Sequence, residues 1–204
     1  MPALKLTTLF EEAVAAARGL GALVVGDGKA PGYFDFTLRG LVGSFIAFLV
    51  AAVGGIYLPE LAGAPAATDD PSAAAPLLQL TPGSALLLVI VAVGIQALAT
   101  LVILRIMKRP DGLIRFLVAD NWSTFFTTII AGVIGAIGIG GDLVLLVLLL
   151  VLVVVEINIA RLILAFKGWQ IVAFIVGQKL ALFIGLVIVL SPFLPTTPDA
   201  GSIG

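Results

Sequence analysis

The sequence predicts an all-α integral membrane protein: a bundle of five transmembrane helices with an N-terminal amphipathic surface helix. Three observations carry that expectation. Of 204 residues, 61% are hydrophobic and 11% charged, whereas soluble domains run at about 45–50% apolar and about 25% charged. Mean hydropathy is +1.23, more apolar side chain than a soluble core absorbs. Apolar runs also recur at lengths that cross a hydrocarbon layer of roughly 30 Å at about 1.5 Å per residue. Residues 1–204 read as a single membrane domain.

Residues 4–24 place Leu6, Leu9, Phe10, Ala13, Val14, Ala17, Leu20, Gly21 and Val24 at helical spacing, with Lys5, Glu11, Glu12 and Arg18 elsewhere on the wheel. Thr8 and Glu11 have the spacing of a capping box. Two placements fit such a helix, one flat on the membrane surface and one packed on the cytoplasmic ends of the spans. The acidic pair and the lack of an apolar run after a basic start argue against a cleaved signal peptide, so the first span is expected to serve as the targeting signal. Gly26 to Gly32 is a loop. Lys29 is followed by Ala30 and the spacing of a phosphate-binding loop is missing, so it reads as an ordinary turn.

The first span is expected at about 38–58. Gly43, Ala47, Ala51 and Gly55 recur every four residues and leave a bare face for close helix approach. An Ala/Pro-rich connection from Pro59 to Gly83 contains Glu60, Asp69 and Asp70 and no base. The second span, about 84–107, carries Gln96 near its middle, a residue type that commonly bonds between membrane helices. Pro110-Asp111-Gly112 marks a bend among Arg105, Lys108, Arg109 and Arg115.

Asp120-Asn121-Trp122-Ser123-Thr124 reads as an interfacial helix start, with capping side chains and a Trp at headgroup level. The third span then covers about 124–139. Its Ala131/Gly135 and Gly132/Ala136/Gly140 spacings predict a central helix surrounded by protein. After a tight turn at Gly140-Gly141-Asp142, a helical hairpin closes the chain, with spans at about 143–166 and 169–190 and a turn centred between Lys167 and Gly168. The fifth span has its own ridge of Ala173, Gly177, Ala181 and Gly185.

Inside the hairpin, Glu156 and Lys179 lie at matching depth on either side of the turn. A lone acid or base at a helix centre costs roughly 2.5–3.5 kcal/mol even on insertion scales. The two residues are therefore expected to pair. Lys179 lies roughly 200° around its helix from the Gly177/Ala181 ridge, so pairing turns the ridge toward another neighbour, the first or third span.

With the N-terminus in the cytoplasm, Lys5, Arg18, Lys29, Arg39, Arg105, Lys108, Arg109, Arg115, Arg161 and Lys167 all fall on the cytoplasmic side, and the outer segments hold no Lys or Arg. Positive charge on the inner side selects five spans with the N-terminus cytoplasmic and the C-terminus on the outer side.

The absence of Cys and His removes thiolate and imidazole chemistry and the usual metal ligands. No catalytic, cofactor-binding or metal residues are expected, and no cofactor. Net charge of -1 without a basic run excludes a nucleic-acid partner. Membrane lipids and other integral membrane subunits are the expected partners.

Three stretches, Tyr33 to Gly40, Phe116 to Trp122 and Val155 to Arg161, resemble a group of small alphaproteobacterial five-span membrane proteins of unknown function. Those are in turn similar to the Yip-type membrane protein family, whose eukaryotic members act in vesicle traffic and contact small GTPases. The resemblance implies five spans, a place in the bacterial inner membrane with the C-terminus periplasmic, and no enzyme; it does not carry a GTPase partner into bacteria.

The leading functional expectation is a non-catalytic accessory or scaffold subunit, supported by the number of small-residue faces. The alternative is a small transporter or channel subunit using Glu156 and Lys179 at membrane depth. A membrane enzyme ranks third, because only Glu156 among the acids is placed within a span.

Overall fold

The computed structural model describes residues 6–61, 81–137 and 142–191. These form α1 (Leu6–Val24), a short 3-10 turn (Ala30–Tyr33), α2 (Leu38–Leu61), α3 (Pro82–Ile106), α4 (Gly112–Ala136), α5 (Asp142–Asn158) running into a π-helical turn (Ile159–Ile163), and α6 (Trp169–Leu190). Five of these segments are long and apolar enough to cross a membrane, with mean hydropathies from 1.3 for α4 to 2.8 for α3. This is a multi-pass membrane protein. The expected long loop, the outer turn at Gly140-Gly141 and the C-terminal tail fall largely outside the described residues.

Local chemistry sets the helix ends. The N–H of Asp27 donates to Ala22 O as Gly26 takes a left-handed conformation at φ 71°, which closes α1. The Gly-rich loop is thus the C-cap of α1. Thr37 Oγ1 accepts from the N–H of Gly40 to open α2, and Thr81 Oγ1 does the same for Ser84 ahead of Pro82 in α3. Two ends use residues that lack glycine's freedom: Lys108 at φ 59° after α3, and Ala165 at φ 54° after the π-turn.

Two expectations about boundaries need correction. The third span begins at Gly112, not near Thr124, so Asp120 to Thr124 lie inside α4 and cap nothing. The fourth span leaves regular α-helix at Asn158, and residues 164–168 form a longer connection than a turn centred on Lys167 and Gly168 requires. Thr8 also lies within α1 rather than at its start; its side chain is outside the described residues.

Where every helix meets the connecting turns, at one end of the bundle, sits the core. Leu23, Phe34, Phe116, Trp122, Ile159, Leu164, Phe166 and Phe174 are all buried there. The Phe174 ring packs edge-on against both Phe116 and Phe166, with centroids 5.3 Å apart in each case. Every described Lys and Arg except Lys179 belongs to the same end. The sequence stretches Tyr33 to Gly40, Phe116 to Trp122 and Val155 to Arg161 converge in this core. A Cβ on Gly40 would collide with the backbone carbonyl of Asp35, and one on Gly19 would lie 2.7 Å from the Phe34 ring. Glycine at both positions is a packing requirement.

Of the two placements open to α1, the structure has the packed one. Ala16, Leu20 and Leu23 are buried against the bundle, while Phe10, Val14 and Val24 face outward. Asn158 Nδ2 donates to Leu23 O at 2.8 Å, and Arg161 Nη2 to Gly26 O at 3.4 Å, tying α5 to the end of α1. Arg39 and Glu12 pair at 3.3 Å, with the second Glu12 oxygen buried against Gly43 and without a partner among the described residues. Burial raises the Glu12 pKa above its ordinary 4.5 despite Arg39.

The small-residue ridges divide. In α2, Ala47 and Ala51 are buried, Gly43 meets Glu12, and Gly55 approaches Thr128 of α4, so this face is a seam. In α6, Gly177 and Gly185 face Ile103 and Ile95, so the ridge through Ala181 packs on α3, not on the first or third span as expected. In α4, Gly132 and Gly135 are exposed, and an added Cβ would meet nothing within 4 Å among the described residues. The expectation that this end of the third span is enclosed by the chain's own helices is therefore overturned. Four-residue spacing makes close approach possible and does not supply the approaching helix. The side chain of Ala136 lies outside the described residues.

Candidate functional site

The helices pair as α2 with α4 and α3 with α6, and polar side chains bridge the interfaces in the middle of the bundle. Asn121 Nδ2 of α4 donates to Ser44 Oγ of α2 at 3.2 Å, and the Ser44 hydroxyl donates to Leu41 O. Gln178 Nε2 of α6 donates to Thr100 Oγ1 of α3, which donates to Gln96 O at 2.7 Å. Gln96 Nε2 in turn donates to Asp120 Oδ2 of α4 at 3.2 Å. In a medium without water each such bond replaces an unsatisfied group, and each is worth about 0.6–2 kcal/mol.

The fourth bridge between helices is ionic. Lys179 Nζ of α6 stands 2.8 Å from Glu156 Oε1 of α5. The two side chains differ in enclosure: Glu156 is 15% exposed and Lys179 57%. A short, held carboxylate thus faces a long ammonium stem with free space around it.

Beside the pair lies a half-open cavity of about 400 Å³ to which α2, α3, α4, α5 and α6 all contribute. Gln96, Asp120, Asn121, Thr124, Glu156 and Lys179 supply its polar wall. Phe48, Val89, Val93, Leu149, Leu152 and Val153 supply the apolar one. Asp120 reaches it because α4 starts at Gly112: with that start, Leu117, Asp120, Asn121 and Thr124 recur at helical spacing and share the inward stripe. The site therefore holds two carboxylates and one ammonium.

Of the residues singled out in the sequence, Glu156, Lys179 and Gln96 are brought together, while Asn158 and Arg161 serve the attachment of α1. Sequence reasoning missed Asp120, Asn121 and Gln178. Asp120 and Gln96 lie at similar depth on either side of the Pro110 bend, the same relation that singled out Glu156 and Lys179, so the signal was present. The argument that only one acid lies within a span no longer holds.

No protein-family model, curated protein or solved structure matches this chain.

Proposed function

We propose that this protein is a small membrane transporter or channel subunit whose central cavity is the mid-membrane solute site. The observation that carries the reading is the position of the Glu156–Lys179 pair. It stands in the wall of a roughly 400 Å³ cavity that also presents Asp120 and Gln96. A pair kept only for stability is best served by tight packing and satisfied lone pairs. A second carboxylate and open volume add cost without adding stability, and ionisable groups at membrane depth characteristically mark solute and proton paths. The reading is non-enzymatic: it asks the site to hold a solute, not to transform it.

We read the host membrane as the bacterial inner membrane, with the N-terminus in the cytoplasm and the C-terminus in the periplasm. Collection of the described Lys and Arg residues other than Lys179 at one end of the bundle supports this orientation. A second reading, an accessory subunit packed against other membrane proteins, is favoured by the open face at Ala131, Gly132 and Gly135. The similarity to Yip-type five-span proteins belongs with that reading.

Because the chain has no Cys, single-Cys variants can test the cavity without background. Ala92→Cys and Ala97→Cys line it, whereas Leu150→Cys on the outer face of α5 serves as a lipid-facing control. Thiol reagents attack the thiolate, which needs water. The transport reading expects a charged, membrane-impermeant reagent to modify residues 92 and 97 from at least one side and to spare residue 150. Folded protein unreactive at 92 and 97 from both sides would return the ion pair to a structural role.

A further inference from the structure

We propose that the cavity selects a monovalent organic cation with an apolar body, and that Lys179 acts as a tethered competitor for the same carboxylates. This rests on the transport reading and names the substrate class of that site. Two carboxylates, Asp120 and Glu156, share the polar wall with one ammonium, Lys179. An anion would have to enter beside two carboxylates with one ammonium to meet it.

The rest of the lining sets the body of the ligand. Phe48, Val89, Val93, Leu149, Leu152 and Val153 offer an apolar surface with an aromatic ring, which suits a hydrocarbon or aryl group better than a hydrated metal ion. The volume of about 400 Å³ is generous for a bare ion and ample for a small amphiphilic cation. Lys179 has the mobility its role requires: its side chain is 57% exposed, on a flexible four-carbon stem, and among the described residues it meets Glu156 at 2.8 Å. Among the described residues Asp120 accepts from one amide, Gln96, at 3.2 Å, which leaves it the carboxylate open to an incoming cation.

The test is binding to the purified full chain in nanodiscs, using benzyltrimethylammonium as the probe because its charge is permanent. Phenylacetate and benzyl alcohol are the anionic and neutral comparisons. Thermal stabilisation by the cation alone is expected, with Asp120→Asn weakening its Kd at least tenfold. Lys179→Met is expected to tighten it about tenfold, since the tethered ammonium is gone; Lys179→Arg, which keeps the charge, is expected to leave it within about threefold of wild type. Preference for phenylacetate, equal response to all three probes, or an Asp120→Asn variant that binds the cation unchanged would each overturn the proposal. Should Lys179→Met not fold, the wild-type and Asp120→Asn comparison decides alone. A cavity that is labelled at residues 92 and 97 but binds no cation refutes the ligand class while leaving the transport reading in place. A cavity closed to labelling refutes both.

Discussion

Lys179 and Glu156 meet at 2.8 Å between α6 and α5, and the acid is the enclosed partner while the base retains room to move. Removing either member leaves a charge to be neutralised or stranded in low dielectric. Glu156→Gln and Lys179→Met should each lower folded yield, and the double variant should recover much of the loss. A coupling of about 1–3 kcal/mol is expected from that cycle, measured by unfolding in mixed micelles. Additive losses would show that the contact contributes nothing to the fold.

Glycines separate the packed end of the bundle from the open one. Gly40→Ala sets a methyl against the carbonyl of Asp35 and should abolish or severely reduce folding. Gly132→Leu and Gly135→Leu add side chains where no described atom lies within 4 Å and should fold normally as isolated chains. If those two variants fold in detergent yet lose assembly in the native membrane, the accessory-subunit reading gains what the isolated chain cannot give it. Failure of both in detergent would mean that the open face is closed by this chain itself.

Much of this architecture was legible in the sequence because membrane helices are specified by length and hydropathy, which local composition carries directly. The Glu156–Lys179 contact was legible because a tight hairpin equates depth on its two arms. Asp120 was misread for a physical reason: an Asp-Asn-Trp-Ser-Thr run has the composition of an interfacial cap, and only the true start of α4 at Gly112 turns it into an inward polar stripe. The ridge on α4 was misread because spacing describes one face of one helix. Whether Gly132 meets a neighbour depends on tertiary packing that the spacing does not encode.

Ala165 takes φ 54° where the π-turn ends, a conformation that costs a non-glycine residue about 1–2 kcal/mol. Ala165→Gly relieves it while raising the entropy of the unfolded chain, which offsets part of the gain, so a net stabilisation of about 0.5–1 kcal/mol is expected from chemical unfolding. A destabilised variant would show that the Ala165 methyl makes contacts that outweigh the strain.

Burial raises the pKa of Glu12, so the folded protein holds that proton more tightly than the unfolded chain does. The stabilisation is complete below the ordinary value of 4.5 and is lost as pH rises through the elevated one. Relative to wild type, Glu12→Gln should therefore gain melting temperature as pH rises from about 4 to 7. The opposite slope would indicate that Arg39 dominates over burial at this position.

Passage of an organic cation through the cavity is the most direct test. Proteoliposomes loaded to give an inside-negative potential should accumulate benzyltrimethylammonium faster with the wild-type protein than without protein, and Asp120→Asn should return uptake to the protein-free rate. Wild-type uptake no faster than that of empty liposomes, in protein shown to be folded and inserted, would contradict passage of an organic cation through this cavity.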